Sequence, residues 1–252
     1  MRIPRPLRRA LRTRKRKLER WTRIRRGEAV SRLRVAAWMK QPWWLRLFPA
    51  STRHRMRLDA PAAGDRRVEI GAGFSGRPGY IHVDLLPFTD DIDIVASGDD
   101  LPIPERWADE ILTVHMIEHV PPPRLMATLQ HWYSRLRPGA SLVLHTPNGA
   151  ALGQAMATAG NETGDDERYW AVMSAVYGYG HHPADMTSPA ALEGAADHKL
   201  VFTSPLLRRL LTDAGFVDVE DVSGQDAFCH HTRDWSPYVD GLCLEVRARR
   251  PA

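Results

Sequence analysis

Glycine recurs at Gly71, Gly73 and Gly76, directly after Val68-Glu69-Ile70, and an aspartate, Asp84, closes the next apolar run, Tyr80-Ile81-His82-Val83. Glycine has no Cβ, so a turn built this way lets a ligand approach the backbone closely. A carboxylate at the tip of the following strand can bind a ribose diol. The combination suits a nucleotide-type ligand, although three glycines in a turn are more often only a turn. Eleven histidines form a second store of chemistry, since imidazole can exchange a proton near neutral pH.

Strands must carry these residues. Arg66–Gly71 reads as a first strand, Tyr80–Leu85 as a second, and Asp91–Ser97 as a third with alternating Ile92, Ile94 and Ala96. Ala108–His115 is a fourth, followed by a helix near Pro122–Leu136, a turn at Arg137-Pro138-Gly139 and a fifth strand at Ser141–Thr146. Ser204–Ala214 has the marks of a helix: Ser204 can cap it, Pro205 sits in its first turn and Gly215 ends it. Val217–Val222 and Leu242–Val246 are two late strands. Strands alternating with helices predict an α/β fold, a parallel sheet with helices on both faces.

The order Glu69-Ile70-Gly71-Ala72-Gly73, Asp84, Leu101-Pro102-Ile103-Pro104, Ile117-Glu118-His119-Val120 and Leu136-Arg137-Pro138-Gly139 resembles the class I S-adenosylmethionine-dependent methyltransferases. Leu210-Leu211-Thr212-Asp213-Ala214-Gly215-Phe216 resembles the "L-x-x-AGF" close of that family. The similarity spans about residues 64–247 and is nearest to methyltransferase-11-like proteins with a short first helix, found with cell-surface polysaccharide pathways. It implies a three-layer sandwich with a Rossmann-like, mostly parallel seven-stranded sheet ending in an antiparallel hairpin. It implies S-adenosyl-L-methionine as cofactor, with Gly71, Ala72 and Gly73 along its methionine part and Glu69 receiving its amino group. Asp84, next to Leu85, would hold the ribose, Leu101 would line the adenine pocket, and His115 and Met116 would face the sulfonium.

Two departures from the family pattern matter. Twelve residues separate Gly71 from Asp84, too few for a loop, a helix and a strand, so the first helix is expected to shrink to a turn around Gly76-Arg77-Pro78-Gly79. The acid that usually binds the adenine amine would align with Ala96 or Ser97, leaving Asp99 or Asp100 to substitute. Family members place substrate-recognition insertions between the fifth strand and the last helix, here about residues 148–203. Asp197-His198-Lys199, continued as Leu200-Val201-Phe202-Thr203, resembles the "HK-x-x-F-T" stretch of sugar-pathway relatives, making His198 the expected base or substrate contact. His181 and His182 are adjacent, and adjacent histidines rarely ligate one ion together, so no metal is expected. His119 is expected to hold the loop after the fourth strand, and His145 to be a core residue.

The charge divides the chain. Residues 1–60 hold 20 Lys and Arg against 3 acids, net +17, whereas residues 61–252 carry net −12. Trp38, Trp43, Trp44 and Phe48 lie among basic residues in the arm, a mixture suited to an anionic membrane surface. There is no run of 18 apolar residues and no secretory h-region. Two cysteines, Cys229 and Cys243, make no metal framework or disulfide scaffold. The expectation is a methyltransferase domain over 61–252, cytoplasmic and peripheral at the inner face of the membrane, acting on a hydroxyl of a sugar or lipid-linked saccharide. Two other readings stand beside it: a nucleic-acid methyltransferase using the basic arm on phosphates, and a cofactor-binding protein without catalysis. Against the former, His115-Met116-Ile117-Glu118 stands where a base-methylating Asn/Asp-Pro-Pro-Tyr motif would follow the fourth strand.

Overall fold

The computed structural model describes residues 66–73, 76–85, 91–158, 172–173, 175–178, 197–224 and 243–252. The basic arm, His181, His182, Cys229 and much of the 148–203 insertion lie outside the described residues.

Seven strands form one sheet: β1 (Arg67–Ile70), β2 (Ile81–Asp84), β3 (Ile94–Val95), β4 (Ala108–Val114), β5 (Leu136–Pro147), β6 (Val217–Asp221) and β7 (Cys243–Arg249). Their order is β3-β2-β1-β4-β5-β7-β6. The β3 to β5 part is parallel, and β7 runs antiparallel between β5 and β6. The fold is therefore the Rossmann-like sheet with an antiparallel end that the resemblance implied. Its order reverses at β1, with β2 on one side and β4 on the other, which opens a crevice at their carboxyl ends.

The strands form because their residues can be buried on the pleat. Val68, Ile70, Val83, Ile111, Leu142, Leu144 and Val246 belong to one large core cluster. Helix α1 (Leu125–Arg135) adds Leu125, Leu129 and Trp132, spaced to share one face. Helix α3 (Ser204–Asp213) adds Leu207 and Leu211 to the same cluster. Tyr80, Leu112, Val114 and Val143 form a smaller cluster.

Three local readings are corrected. Arg137-Pro138-Gly139 is not a separate turn but part of β5: between the pairs Ala108–Leu136 and Glu110–Ser141, one residue of β4 stands opposite four of β5. The irregularity is a bulge at which Gly139 takes φ +76°. The cap of α3 is Thr203 rather than Ser204, because the Leu207 N–H donates to the Thr203 carbonyl at 3.0 Å and so starts the ladder there. Inside the presumed insertion, a further helix, α2 (Gly149–Thr158), follows β5 directly. Its signal is Asn148, whose Oδ1 accepts N–H bonds from Ala150 and Ala151 at 3.1 and 3.4 Å.

Candidate cofactor crevice and histidine cluster

The glycine turn leaves β1 with Gly71 at φ +77° and Gly73 at φ +58°. The Gly71 N–H donates to the Val83 carbonyl at 2.8 Å, fastening the turn to β2. The Gly73 N–H donates to Asp84 Oδ2 at 2.8 Å, so Asp84 fixes the turn and borders the crevice at once. Ala72 is fully buried, and Leu85 is exposed beyond the strand end.

Among the described residues no helix separates β1 from β2, and hydrogen bonds hold the segment instead. Glu69 Oε2 accepts the Arg77 N–H. The His82 ring spans the loop, with Nε2 2.9 Å from the Arg77 carbonyl and Nδ1 3.1 Å from the Asp91 carbonyl. A Cβ on Gly76 would lie 2.5 Å from His82 Nε2, which is why glycine stands there. Glu69 is 1% exposed, and its Oε1 has no hydrogen-bond partner among the described residues. His82 itself was no part of the sequence-level site; a polar residue on an apolar strand was its only signal.

On the β3 side the two candidate acids differ. Asp99 is engaged: Arg124 Nη1 lies 2.8 Å from its Oδ2, and Ser97 Oγ donates to its Oδ1. Asp100 is exposed, and its carboxylate takes no hydrogen bond among the described residues. Leu101 is 1% exposed within the main core, so it supports the crevice rather than forming its open wall. Its N–H donates to His131 Nε2 at 2.9 Å. Burial and then the Arg135 charge push the His131 pKa down, favouring the neutral ring that this acceptor role requires. Sequence reasoning passed over His131, which looked like one polar position of α1.

Met116, at the end of β4, packs into a space made by two glycines. A Cβ on Gly71 would lie 2.8 Å from the Met116 Cβ, and one on Gly98 would lie 1.7 Å from its Cε. Trp132 Nε1 donates to the Gly98 carbonyl at 2.6 Å, holding that segment in place. His115 takes φ +51°, an uncommon conformation for a residue with a Cβ, and its N–H donates to the His145 carbonyl at 2.8 Å.

Beyond β4 a one-turn 3-10 helix, Ile117–His119, carries the second group. Glu118 is fully buried, with Thr146 Oγ1 donating to its Oε2 at 3.1 Å. His115 Nδ1 lies 3.2 Å from its Oε1, and His198 Nε2 lies 3.8 Å from the same oxygen. The segment bearing His198 is tied to this turn, because the Lys199 and Leu200 N–H groups donate to the Glu118 carbonyl at 2.7 and 3.2 Å. His119 Nδ1 is 3.0 Å from the Asp197 carbonyl, and His198 Nδ1 is 2.9 Å from the Ala175 carbonyl. The two rings meet edge to face at 4.7 Å. Burial opposes the Glu118 charge, but the adjacent His115 ring, with His119 and His198 behind it, outweighs burial and holds the carboxyl below its ordinary pKa. Burial pushes His198 down, against the pull of Glu118.

The structure thus brings Glu69, Gly71, Gly73, Asp84 and Met116 to one crevice. It brings His115 and His198 together at Glu118, which the sequence had offered only as part of a motif. His119 does hold the loop, through Asp197, and also joins this cluster. His145 is buried on β5, as expected.

No family model matches the chain, and no curated protein matches it at a significant level. Solved structures similar to it include a protein from Bordetella parapertussis, at 17% identity over 81% of this chain and 67% of that one, TM-score 0.46. Another is an S-adenosylmethionine-dependent methyltransferase from Thermotoga maritima, at 16% identity over 82% of this chain and 94% of that one, TM-score 0.45. A third is phosphoethanolamine N-methyltransferase 2 from Haemonchus contortus, in complex with phosphomonomethylethanolamine and S-adenosylhomocysteine, at 12% identity and TM-score 0.43. The match covers 81% of this chain and spans about half (52%) of the Haemonchus protein. At such identities and scores the chemistry has to come from this chain's own residues.

Proposed function

We propose that this protein transfers a methyl group from S-adenosyl-L-methionine to a hydroxyl of a sugar or a lipid-linked saccharide, at the inner face of the cytoplasmic membrane. The observation that carries the cofactor reading is Glu69 Oε1, buried beneath the glycine turn with no hydrogen-bond partner among the described residues. An unsatisfied buried acceptor costs about 1–3 kcal/mol, and a cationic amino group placed there offsets that cost. In this reading Glu69 receives the amino group, Asp84 the ribose hydroxyls, and Asp100, rather than the engaged Asp99, the adenine amine.

S-adenosyl-L-methionine supplies, when bound, a methyl group on a sulfonium, and the remaining work is done by the protein. Displacement at that methyl is in-line, so orienting the acceptor hydroxyl contributes much of the rate. A hydroxyl of high pKa must also lose its proton, and in this reading His198, beside the Glu118 carboxylate, receives it. Support for a saccharide acceptor is the likeness of Asp197–Thr203 to sugar-pathway relatives, together with the shortened first segment.

The test is titration calorimetry of the full chain with S-adenosylmethionine and S-adenosylhomocysteine. One equivalent should bind, with affinity at least tenfold weaker in Asp84→Ala, whose carboxylate both shapes the turn and faces the ribose. Absence of binding to the wild-type protein would overturn the reading.

A further inference from the structure

Glu118, His119 and His198 form a close group of side chains that could each offer a ligand atom. A backbone carbonyl can only accept a hydrogen bond, so the Nδ1 of His119, beside the Asp197 carbonyl, and the Nδ1 of His198, beside the Ala175 carbonyl, carry the ring protons. With the proton on Nδ1, Nε2 is the ring atom left to ligate a cation. Thr146 holds Glu118 Oε2, so Oε1 is the oxygen turned toward the rings. Donor atoms of Glu118, His119 and His198 all lie within 4.8 Å of one another. No well-aligned hydrogen bond reaches Oε1 among the described residues, and its nearest polar neighbour is His115 Nδ1 at 3.2 Å. A carboxylate oxygen and two imidazole nitrogens gathered this closely offer a cation a ready set of ligands.

We propose that Glu118, His119 and His198 bind one divalent transition-metal ion. Two imidazole nitrogens and one carboxylate suit first-row ions such as Mn2+, Co2+ and Zn2+ better than Mg2+ or Ca2+, which favour oxygen shells. Backbone carbonyls on both Nδ1 atoms are the arrangement that fixes a ligating tautomer and ring orientation. Ligand bonds of about 2.0–2.2 Å place neighbouring donors roughly 3.3–3.6 Å apart at the tetrahedral angle and roughly 2.8–3.1 Å at the octahedral one. The 3.8 Å between His198 Nε2 and Glu118 Oε1 closes to these ranges with small side-chain rotations. The turn and the His198 segment are already locked by the Lys199 and Leu200 N–H bonds to the Glu118 carbonyl. His115 acts as a positioning residue, its ring beside Oε1. The site revises the expectation of no metal, which weighed only the adjacent pair His181 and His182.

What the ion does rests on the methyl-transfer reading; whether it binds does not. Three protein ligands leave coordination positions open, and an acceptor hydroxyl in one of them loses its proton to water more readily. The resulting alkoxide forms the O–C bond as the S–C bond breaks, the electron pair staying on sulfur to give S-adenosylhomocysteine. His198 then works as a ligand, and the ion takes over the activation otherwise assigned to a free imidazole.

The experiment strips the full-length protein with chelator and titrates it separately with Mn2+, Co2+, Zn2+ and Mg2+, by calorimetry and, for Co2+, by its visible spectrum. The same samples are titrated with S-adenosylhomocysteine. We expect one equivalent of a transition ion, in preference to Mg2+, with affinity at least tenfold weaker in His119→Ala and again in His198→Ala. Affinity for S-adenosylhomocysteine should stay within about twofold in both, which also reports that they fold. His119 is partly exposed, so its truncation is the milder of the two; Glu118→Gln, which keeps volume and the Thr146 contact, is a third variant. Failure of the wild type to bind any transition ion stoichiometrically overturns the proposal, as does binding unchanged in His119→Ala and His198→Ala. Ion binding without S-adenosylhomocysteine binding would keep the metal site and overturn the cofactor reading instead.

Discussion

At the residue scale the crevice depends on absent atoms as much as on present ones. Gly98 is the sharpest case: a Cβ there would meet Met116 Cε at 1.7 Å and Ile70 Cγ2 at 2.6 Å. Met116 is flexible and can move, but Ile70 belongs to β1 and to the core, so the clash cannot be relieved on that side. Gly98→Ala should therefore destabilise the protein by about 1–3 kcal/mol, the usual range for overpacking, read as a lower urea midpoint at unchanged slope. Because the displaced Met116 also packs on Gly71, S-adenosylhomocysteine affinity should fall in the same variant. Unchanged stability together with unchanged affinity would mean that Met116 does not shape the crevice. Glycines flanking a strand end and a carboxylate after the next strand are local patterns, which is why Gly71, Gly73 and Asp84 were legible in the sequence. Gly98 was not, because its reason for being glycine is a methionine eighteen residues later.

At the scale of elements, what joins the strands at their amino ends is charge. Asp109 on β4 accepts the Arg66 backbone N–H at 3.0 Å and lies 3.4 Å from Arg66 Nε, while Arg137 on β5 pairs with its other oxygen. One side chain thus ties the starts of β1, β4 and β5. Burial opposes its charge, but the Arg137 and Arg66 contacts outweigh that and lower the Asp109 pKa in the fold. A lowered carboxyl pKa stabilises the native state fully above the unfolded value, near 3.9, and that contribution is lost as pH falls through the folded value. Asp109→Asn should accordingly lower stability at neutral pH and flatten the loss of stability below about pH 4, in melts taken across pH 2–7. Arg137 is half exposed, so added salt should shrink the difference; an acid limb identical in the variant would rule the linkage out. Strand order and type followed from apolar runs between turn signals. The Glu118 cluster did not, because Thr146, Ala175 and Asp197 reach it from segments 28 to 79 residues away in sequence. Such contacts exist only once β4 and β5 are paired. The bulge at Gly139 was hidden for the same reason: Leu136 and Ser141, either side of the turn sequence, pair with β4, and the Gly139 N–H donates to the Arg250 carbonyl at 3.1 Å.

At the scale of the whole molecule the unequal charge makes the arm and the domain predict opposite behaviour. With net +17 in residues 1–60 and −12 in residues 61–252, the full chain is basic, whereas a protein lacking the arm is acidic. An anionic bilayer attracts basic residues near its surface by about 1 kcal/mol each, within a Debye length. Trp38, Trp43 and Trp44 add rings that favour the headgroup layer. Full-length protein should co-sediment with vesicles containing phosphatidylglycerol but not with neutral phosphatidylcholine vesicles, and binding should weaken steeply between 50 and 500 mM salt as an order-of-magnitude range. Deleting residues 1–60 should abolish the binding, and replacing the three tryptophans by alanine should leave a weaker, wholly salt-sensitive component. If the arm instead serves nucleic acid, the full chain should shift RNA at salt concentrations that release the vesicles. If it rests on the acidic domain, both assays should fail and the isolated domain should lose stability on truncation. A saccharide acceptor carried on a lipid would be met at that surface, so the deletion should raise KM for a vesicle-borne acceptor while leaving S-adenosylhomocysteine affinity unchanged. That split separates a docking arm from one that builds the site.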